Sequence, residues 1–438
     1  MRKELGAVSG YALAKEKGFT GTEEEWLASL GADVEVSTDP TTNRTKITVR
    51  KGSKVTEADI SGVGLKTKEG GEIFGCTQGN FTQGGVANTA PAQYAHAEGN
   101  GCTASGYTAH AEGNSTTASG DCAHAEGNNT TASGSYSHAE GGWRTTASGS
   151  YSHAEGDSCT AGGDCAHAEG DSCTANGYTA HAEGKQGRAN GAFSHAEGNG
   201  CQALGASSHA EGDSCKTAET ARCAHAEGRD STASGNFSHA EGYNCTASGD
   251  SAHAEGNNGT ASGDYSHAEG NGCTASGNTT HAEGSYCKAE GNYSHAEGST
   301  CTASGSSSHA EGGHCTAGGS AAHAEGADCK ANGNRSHAEG ISCQAQGDDS
   351  HAEGVYTIAR GAAQHVAGKY NVEDAEGVYA RITGGGTGYK QRKNIETLDW
   401  KGNLILGGNV TTGAGNDLDA VAAALAALET RVQALESK

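Results

Sequence analysis

The chain has 438 residues, of which 71 are glycine, 5% are aromatic and 34% hydrophobic. It is long enough for two or three globular domains, but too poor in large apolar side chains to fill ordinary cores. Without periodicity this composition would read as disordered. A formal net charge of −24 disfavours nucleic acid and anionic membrane surfaces as partners.

No stretch is apolar enough for an export signal or for insertion into a membrane, so cytoplasmic synthesis is expected. The 16 cysteines therefore do not read as a secreted disulfide framework.

Residues 1–31 read as a helical N-terminal segment. Thr22 and Glu25 form a capping box in GTEEEWLASLG, and Gly31 marks the stop. Residues 32–56 alternate as a β-hairpin module, with DVEVS and TKITV flanking a turn around Pro40 and Asn43. Residues 57–93 form a glycine-rich lead-in without clear periodicity.

Residues 94–368 are a tandem repeat. HAEG recurs 19 times from His96 to His351, and a degenerate HVAG follows at His365. The step is 14 residues, except 15 from His138 to His153 and 16 from His209 to His225. Such regularity predicts an all-β solenoid. Each period splits into two sevens, so one coil holds two short strands closed by glycine corners, and Gly99 and Gly106 are expected at positive φ.

Alternation along the strands sends Ala95, Ala97, Cys102 and Ala104 inward and His96, Glu98, Thr103 and Ser105 outward. Small residues thus fill a thin β-roll. The interior includes Cys273, Cys287, Cys301, Cys315, Cys329 and Cys343, read as reduced packing residues because Thr116, Thr130 and Ser231 occupy the same slot.

One outer face varies freely, as at Arg188, Gln202 and Lys288, while the other repeats histidine and glutamate with hardly a change. The constant face reads as an interface between chains. It comprises His96, Glu98, His110, Glu112, His124, Glu126, His138, Glu140, His153 and Glu155, and further along His267, Glu269, His281, Glu283, His295 and Glu297.

Glutamates stacked at about 4.8 Å repel by about 3.5 kcal/mol at an effective dielectric near 20. Histidine would relieve this through a His–Glu network, and each histidine gaining a glutamate partner should have a raised pKa, so that the assembly loosens as pH rises. No metal is assigned. The ladder is nonetheless a candidate for metal ions on a three-fold axis, and such an assembly would weaken in acid and in chelator.

The 15-residue coil exposes Trp143 and Arg144, read as a bulge and as a candidate receptor contact. Residues 369–412 read as a small β module with strands in VYARITGG and NLILGGNV. In residues 413–438, Leu418, Val421, Leu425, Leu428, Val432 and Leu435 make a heptad seam that predicts a trimeric coiled coil.

SHAEGxxCTASG resembles the head repeat of YadA-like trimeric adhesins, whose coils read SVAIGxxSxAxG. The resemblance implies a left-handed parallel β-roll, homotrimeric, with the His and Glu slots on the three-fold axis. GYALAKEKGFTGTEEEWLASL, GGEIFG, QHVAGKYNVED and NIETLDWKGNLILGGNV are similar to segments of tail-fibre proteins in phages and prophages of Gram-positive bacteria. That likeness implies a virion or phage-tail-like particle made in a bacterial cytoplasm. It also implies attachment of the N-terminal end to a tail or baseplate protein, and a host cell-surface glycan or protein as receptor.

The function expected is therefore a structural tail fibre or receptor-binding protein. A bacterial surface adhesin is the alternative, and an ice-binding solenoid a lesser one, suggested by the stacked Thr and Ser. No enzyme is expected, because identical histidines lack one differentiated constellation.

Overall fold

The computed structural model describes Thr20 and residues 33–39, 44–51, 54–59, 65–66, 72–77, 80–83, 87–407 and 418–436. The expected N-terminal helix, Thr20 apart, and the turn at Pro40 and Asn43 lie outside the described residues. The chain divides into two compact units, Met1–Gly187 and Arg188–Lys438. The described part is an all-β parallel solenoid with flanking antiparallel strands and one helix.

In the first unit, Asp33–Asp39, Arg44–Lys51 and Lys54–Asp59 form a three-stranded antiparallel sheet. The lead-in also carries strands that its sequence did not reveal. Glu72–Thr77 pairs antiparallel with Leu65–Lys66 and with Asn80–Gln83. Asn80–Gln83 then runs parallel to the first repeat strand, placing Phe81 opposite His96. These strands occupy an edge that would otherwise offer unpaired backbone groups.

Each regular coil has a five-residue strand, such as His110–Asn114, and a two-residue strand, such as Thr117–Ala118. Both stack in parallel and in register. His110 faces His124, Glu112 faces Glu126, and Thr117 faces Thr131. Small residues at the inward positions permit this thin section: Ala97, Cys102 and Ala104 are all fully buried. A close-packed interior of this kind stabilises through many short contacts and ladder bonds rather than through large side chains.

The corners differ from the expectation in one respect. Gly99 has φ +114°, as its turn requires. Gly106 does not adopt the left-handed backbone; a Cβ built there would lie 1.9 Å from the Gly120 carbonyl oxygen of the next coil. Glycine is needed at that position because the coils touch. The left-handed residue of this second corner is Thr108 (φ 55°), two places before the histidine.

The two irregular coils absorb their extra residues without breaking the histidine ladder. At the 15-residue coil the register shifts between Gly141 and Trp143, a bulge, and Trp143 then pairs with Asp157. In the second unit, the 16-residue coil buries Ala221 and Thr217, and the Thr217 hydroxyl donates to Ser208 Oγ at 2.9 Å. His209 still faces His225.

Asparagine caps both ends of the interior. In the first unit Asn88 occupies the slot that cysteine holds elsewhere. Its Oδ1 accepts from the Cys102 amide (2.9 Å) and its Nδ2 donates to the Gly99 carbonyl (2.7 Å). In the second unit Asn371 bonds both the amide and the carbonyl of Ile358 (2.8 and 3.0 Å). Asn88 thus makes the bonds of a slot side chain, while the Asn371 amide takes the place of the backbone carbonyl that accepts at this position in the other coils.

The second unit closes with Tyr379–Gly385, parallel to His365–Lys369, and then the antiparallel strands Asn394–Asp399 and Leu404–Leu406. The helix spans Leu418–Glu436, and its Leu425, Leu428 and Val432 are 60%, 55% and 46% exposed.

Candidate functional site: the histidine and glutamate face

In-register pairing places equivalent side chains directly above one another, so the first residue of every long strand builds a column of imidazoles. In the first unit His96 and His110 stack with centroids 4.6 Å apart and planes 3° from parallel; Phe81 closes the column edge-on at 4.7 Å. In the second unit the column runs from His195 to His365 at spacings of 4.6–4.8 Å.

Glutamate follows two residues later on the same face. Within a coil Nε2 and Oε2 lie 3.8 Å apart at His110–Glu112 and His138–Glu140, and 3.9 Å at His153–Glu155 and His295–Glu297. The pairs at His96–Glu98, His124–Glu126 and His281–Glu283 fall at 3.8, 4.0 and 3.8 Å. His267 stacks on His253 and His281 in the same column, with Glu269 facing Glu255.

These side chains are half-buried, and the separations exceed a hydrogen bond. The Nε2 atoms of His110, His124, His209 and His239 are shielded from solvent yet lack a hydrogen-bond partner within the chain. A buried nitrogen left in that state costs about 1–3 kcal/mol.

Within the single chain the stack bears on protonation, whereas the raised pKa is expected of histidines that gain a glutamate partner on assembly. Burial pushes His110, His124, His209, His253 and His267 below the ordinary histidine value. The neighbouring ring pushes further the same way, and the glutamates pull back only in part. These five imidazoles are thereby held towards the neutral form within this chain.

Neutral imidazole and carboxylate are metal ligands. The donor atoms of His167, Glu169 and His181, and those of His209, Glu211 and His225, lie within 4.8 Å of one another, as do further sets along the face. Parallel rings do not converge on one ion, however, because each lone pair lies in its own ring plane. A single chain therefore presents one nitrogen and one oxygen per coil.

The cysteines sit elsewhere. Cys273, Cys287, Cys301, Cys315, Cys329 and Cys343 are fully buried and unbridged. The Cys301 thiol donates to the Gly312 carbonyl of the next coil (3.2 Å). Thr145 reaches Gly156 (2.8 Å) and Ser231 reaches Gly242 (3.1 Å) in the same way. The bond is made at some coils only, since the Thr116 and Thr130 hydroxyls in the same slot have no partner; what the occupants have in common is small size and full burial. Burial pushes the Cys245 thiol up. Cys122, Cys165 and Cys223 are exposed, at the second corner.

Trp143 stands half-exposed on its bulge, and Arg144 follows with φ 56°. Sequence reasoning missed the exposed aromatics of the second corner. The signal was present in the recurrent SY, NF and DY dipeptides just before SHAEG. No protein-family model matches the chain, and no curated protein matches it in sequence.

Proposed function

We propose that the protein is a trimeric tail-fibre or receptor-binding subunit of a phage or phage-tail-like particle. In this reading its N-terminal end is held by a tail or baseplate protein, and its β-roll is presented to a host cell-surface glycan or protein. The observation that carries this reading is the set of shielded imidazole nitrogens without a hydrogen-bond partner at His110, His124, His209 and His239, together with a helix whose Leu425, Leu428 and Val432 are exposed. Both are accounted for when three copies pack about one axis, with the left-handed rolls meeting on the His/Glu face and the helices as a coiled coil.

The regularity of the face argues against catalysis, which needs one differentiated site. Antibody against the chain should decorate tails in electron micrographs of intact particles, and the purified protein should coat host cells. Its absence from the particle fraction overturns the proposal, and recovery from a bacterial envelope instead would point to an adhesin.

One observation favours a second reading. Thr103, Thr117 and Thr131 form an outward ladder on the short strands. Stacked hydroxyls of this kind suit ice, but exposed Arg188, Lys216 and Lys288 interrupt the same face in the second unit. Thermal hysteresis at micromolar protein would establish that role.

A further inference from the structure

We propose that the second corner of the coils between Asn236 and Tyr293 is a binding edge for an extended β-1,4-linked glycan. Phe237, Tyr265 and Tyr293 hold the same corner position and are 65%, 68% and 67% exposed. Each has left-handed backbone, with φ of 56°, 56° and 60°. Bulky side chains are rare there, whereas small polar residues and glycine are at ease. The opposite corner has Asn244, Asn258 and Gly272 in three of these coils and an exposed ring, Tyr286, in the fourth. Large rings held exposed on an unfavourable backbone mark a surface kept for contact.

The spacing identifies the ligand. Ser251 and Thr279 occupy the same position in the intervening coils, so the rings recur every second coil, at about 9.6 Å. In an extended β-1,4-linked chain alternate sugars turn the same face to one side, and the repeat is a disaccharide of about that length. The apolar face of every second pyranose then meets a ring, leaving the sugar between over a hydroxyl.

A polar rail runs beside the rings. Asn236, Asp250, Asp264, Asn278 and Asn292 precede the corner residues, and the backbone amides of the first four each donate to the next side chain along. The bonds are Asn236 to Asp250 (2.9 Å), Asp250 to Asp264 (3.0 Å), Asp264 to Asn278 (3.2 Å) and Asn278 to Asn292 (3.0 Å). These bonds fix the side chains and leave lone pairs for sugar hydroxyls. Two aspartates and the net charge of −24 select a neutral or amine-bearing glycan over a polyanionic one.

The fibre reading gives this edge its biological sense, but the binding stands apart from membership of a particle. The full chain is titrated calorimetrically with cellohexaose and chitohexaose, with cellobiose for length and maltohexaose, whose α-linkage curves the chain, as controls. The variants are Tyr265→Ser and the triple Phe237→Ser, Tyr265→Ser, Tyr293→Ser; serine already fills this slot at Ser251 and Ser307, so the fold should hold.

The β-linked hexaoses should bind, cellobiose far more weakly. Tyr265→Ser should weaken binding on the order of tenfold, and the triple variant should abolish it with melting temperature unchanged. The proposal is overturned by no binding to the native chain, by equal binding to the triple variant, or by equal binding of maltohexaose. A triple variant that changes the mass of the assembly also overturns it, since the edge would then be an interface between copies.

Discussion

Acidification should weaken this protein, and the stacked histidines set the scale. Consider His267, which lies between His253 and His281 at 4.7 and 4.8 Å, with Glu255, Glu269 and Glu283 around it. Two imidazoliums 4.8 Å apart repel by about 0.9 kcal/mol at the dielectric of water and about 3.5 kcal/mol at 20. The half-exposed setting selects the lower figure. A carboxylate 3.9 Å from an imidazolium, the spacing at His295–Glu297, returns about 1 kcal/mol on the same scale.

Two charged neighbours would together repel by about 1.7 kcal/mol against about 1 kcal/mol from one close carboxylate, so repulsion and burial both favour the neutral ring. The folded pKa lies below the ordinary 6.5, so the folded state binds fewer protons than the unfolded one. The stabilisation is present above pH 6.5 and is lost as pH falls through the folded values. Calorimetric melting from pH 8 to pH 5 at constant ionic strength should show the melting temperature falling below about pH 6.5, unchanged by EDTA. A melting temperature that rises in acid would mean that glutamates of other chains close on Nε2 and outweigh the stack. Loss of stability in EDTA at pH 8 would assign the face to metal.

Other outcomes follow from the packing. Gly263→Ala should cost at least ~2 kcal/mol in chemical denaturation, because its Cβ would lie 1.9 Å from the Gly277 oxygen, while Gly313→Ala, with open space around it, should stay within about 0.5 kcal/mol. Cys301→Thr keeps the donor to Gly312 and should change stability by less than about 1 kcal/mol, whereas Cys301→Leu should cost about 1–3 kcal/mol by overpacking. A bulky thiol reagent should label Cys122, Cys165 and Cys223 in the native protein and reach Cys273 or Cys343 only on unfolding. Leu428→Ala should lower the stability of the assembly if the helices associate; an unchanged melt would mean that the helix is solvated.

The solenoid and its inside–outside alternation were legible because a repeat states its register many times over. What Ala97 does, Ala111 and Ala125 do again. The end caps were not read, although counting one period back from Cys102 and onward from Thr357 falls on Asn88 and Asn371, in the slot where their amides act. Gly106 was assigned to the left-handed region because glycine permits it, but spacing cannot distinguish freedom of φ from contact with the next coil. The effect of one imidazole on the next is hidden for a related reason. A sequence puts Glu98 two residues from His96, and only the stack shows that His110 is 4.6 Å away.

The central claim, that the His/Glu face and the C-terminal helix are where copies of the chain meet, is tested most directly by the mass of the full-length protein in solution. Light scattering at neutral pH and micromolar concentration should give three times 43.7 kDa. A mass of one chain under those conditions would contradict it, leaving the ladder as an exposed surface.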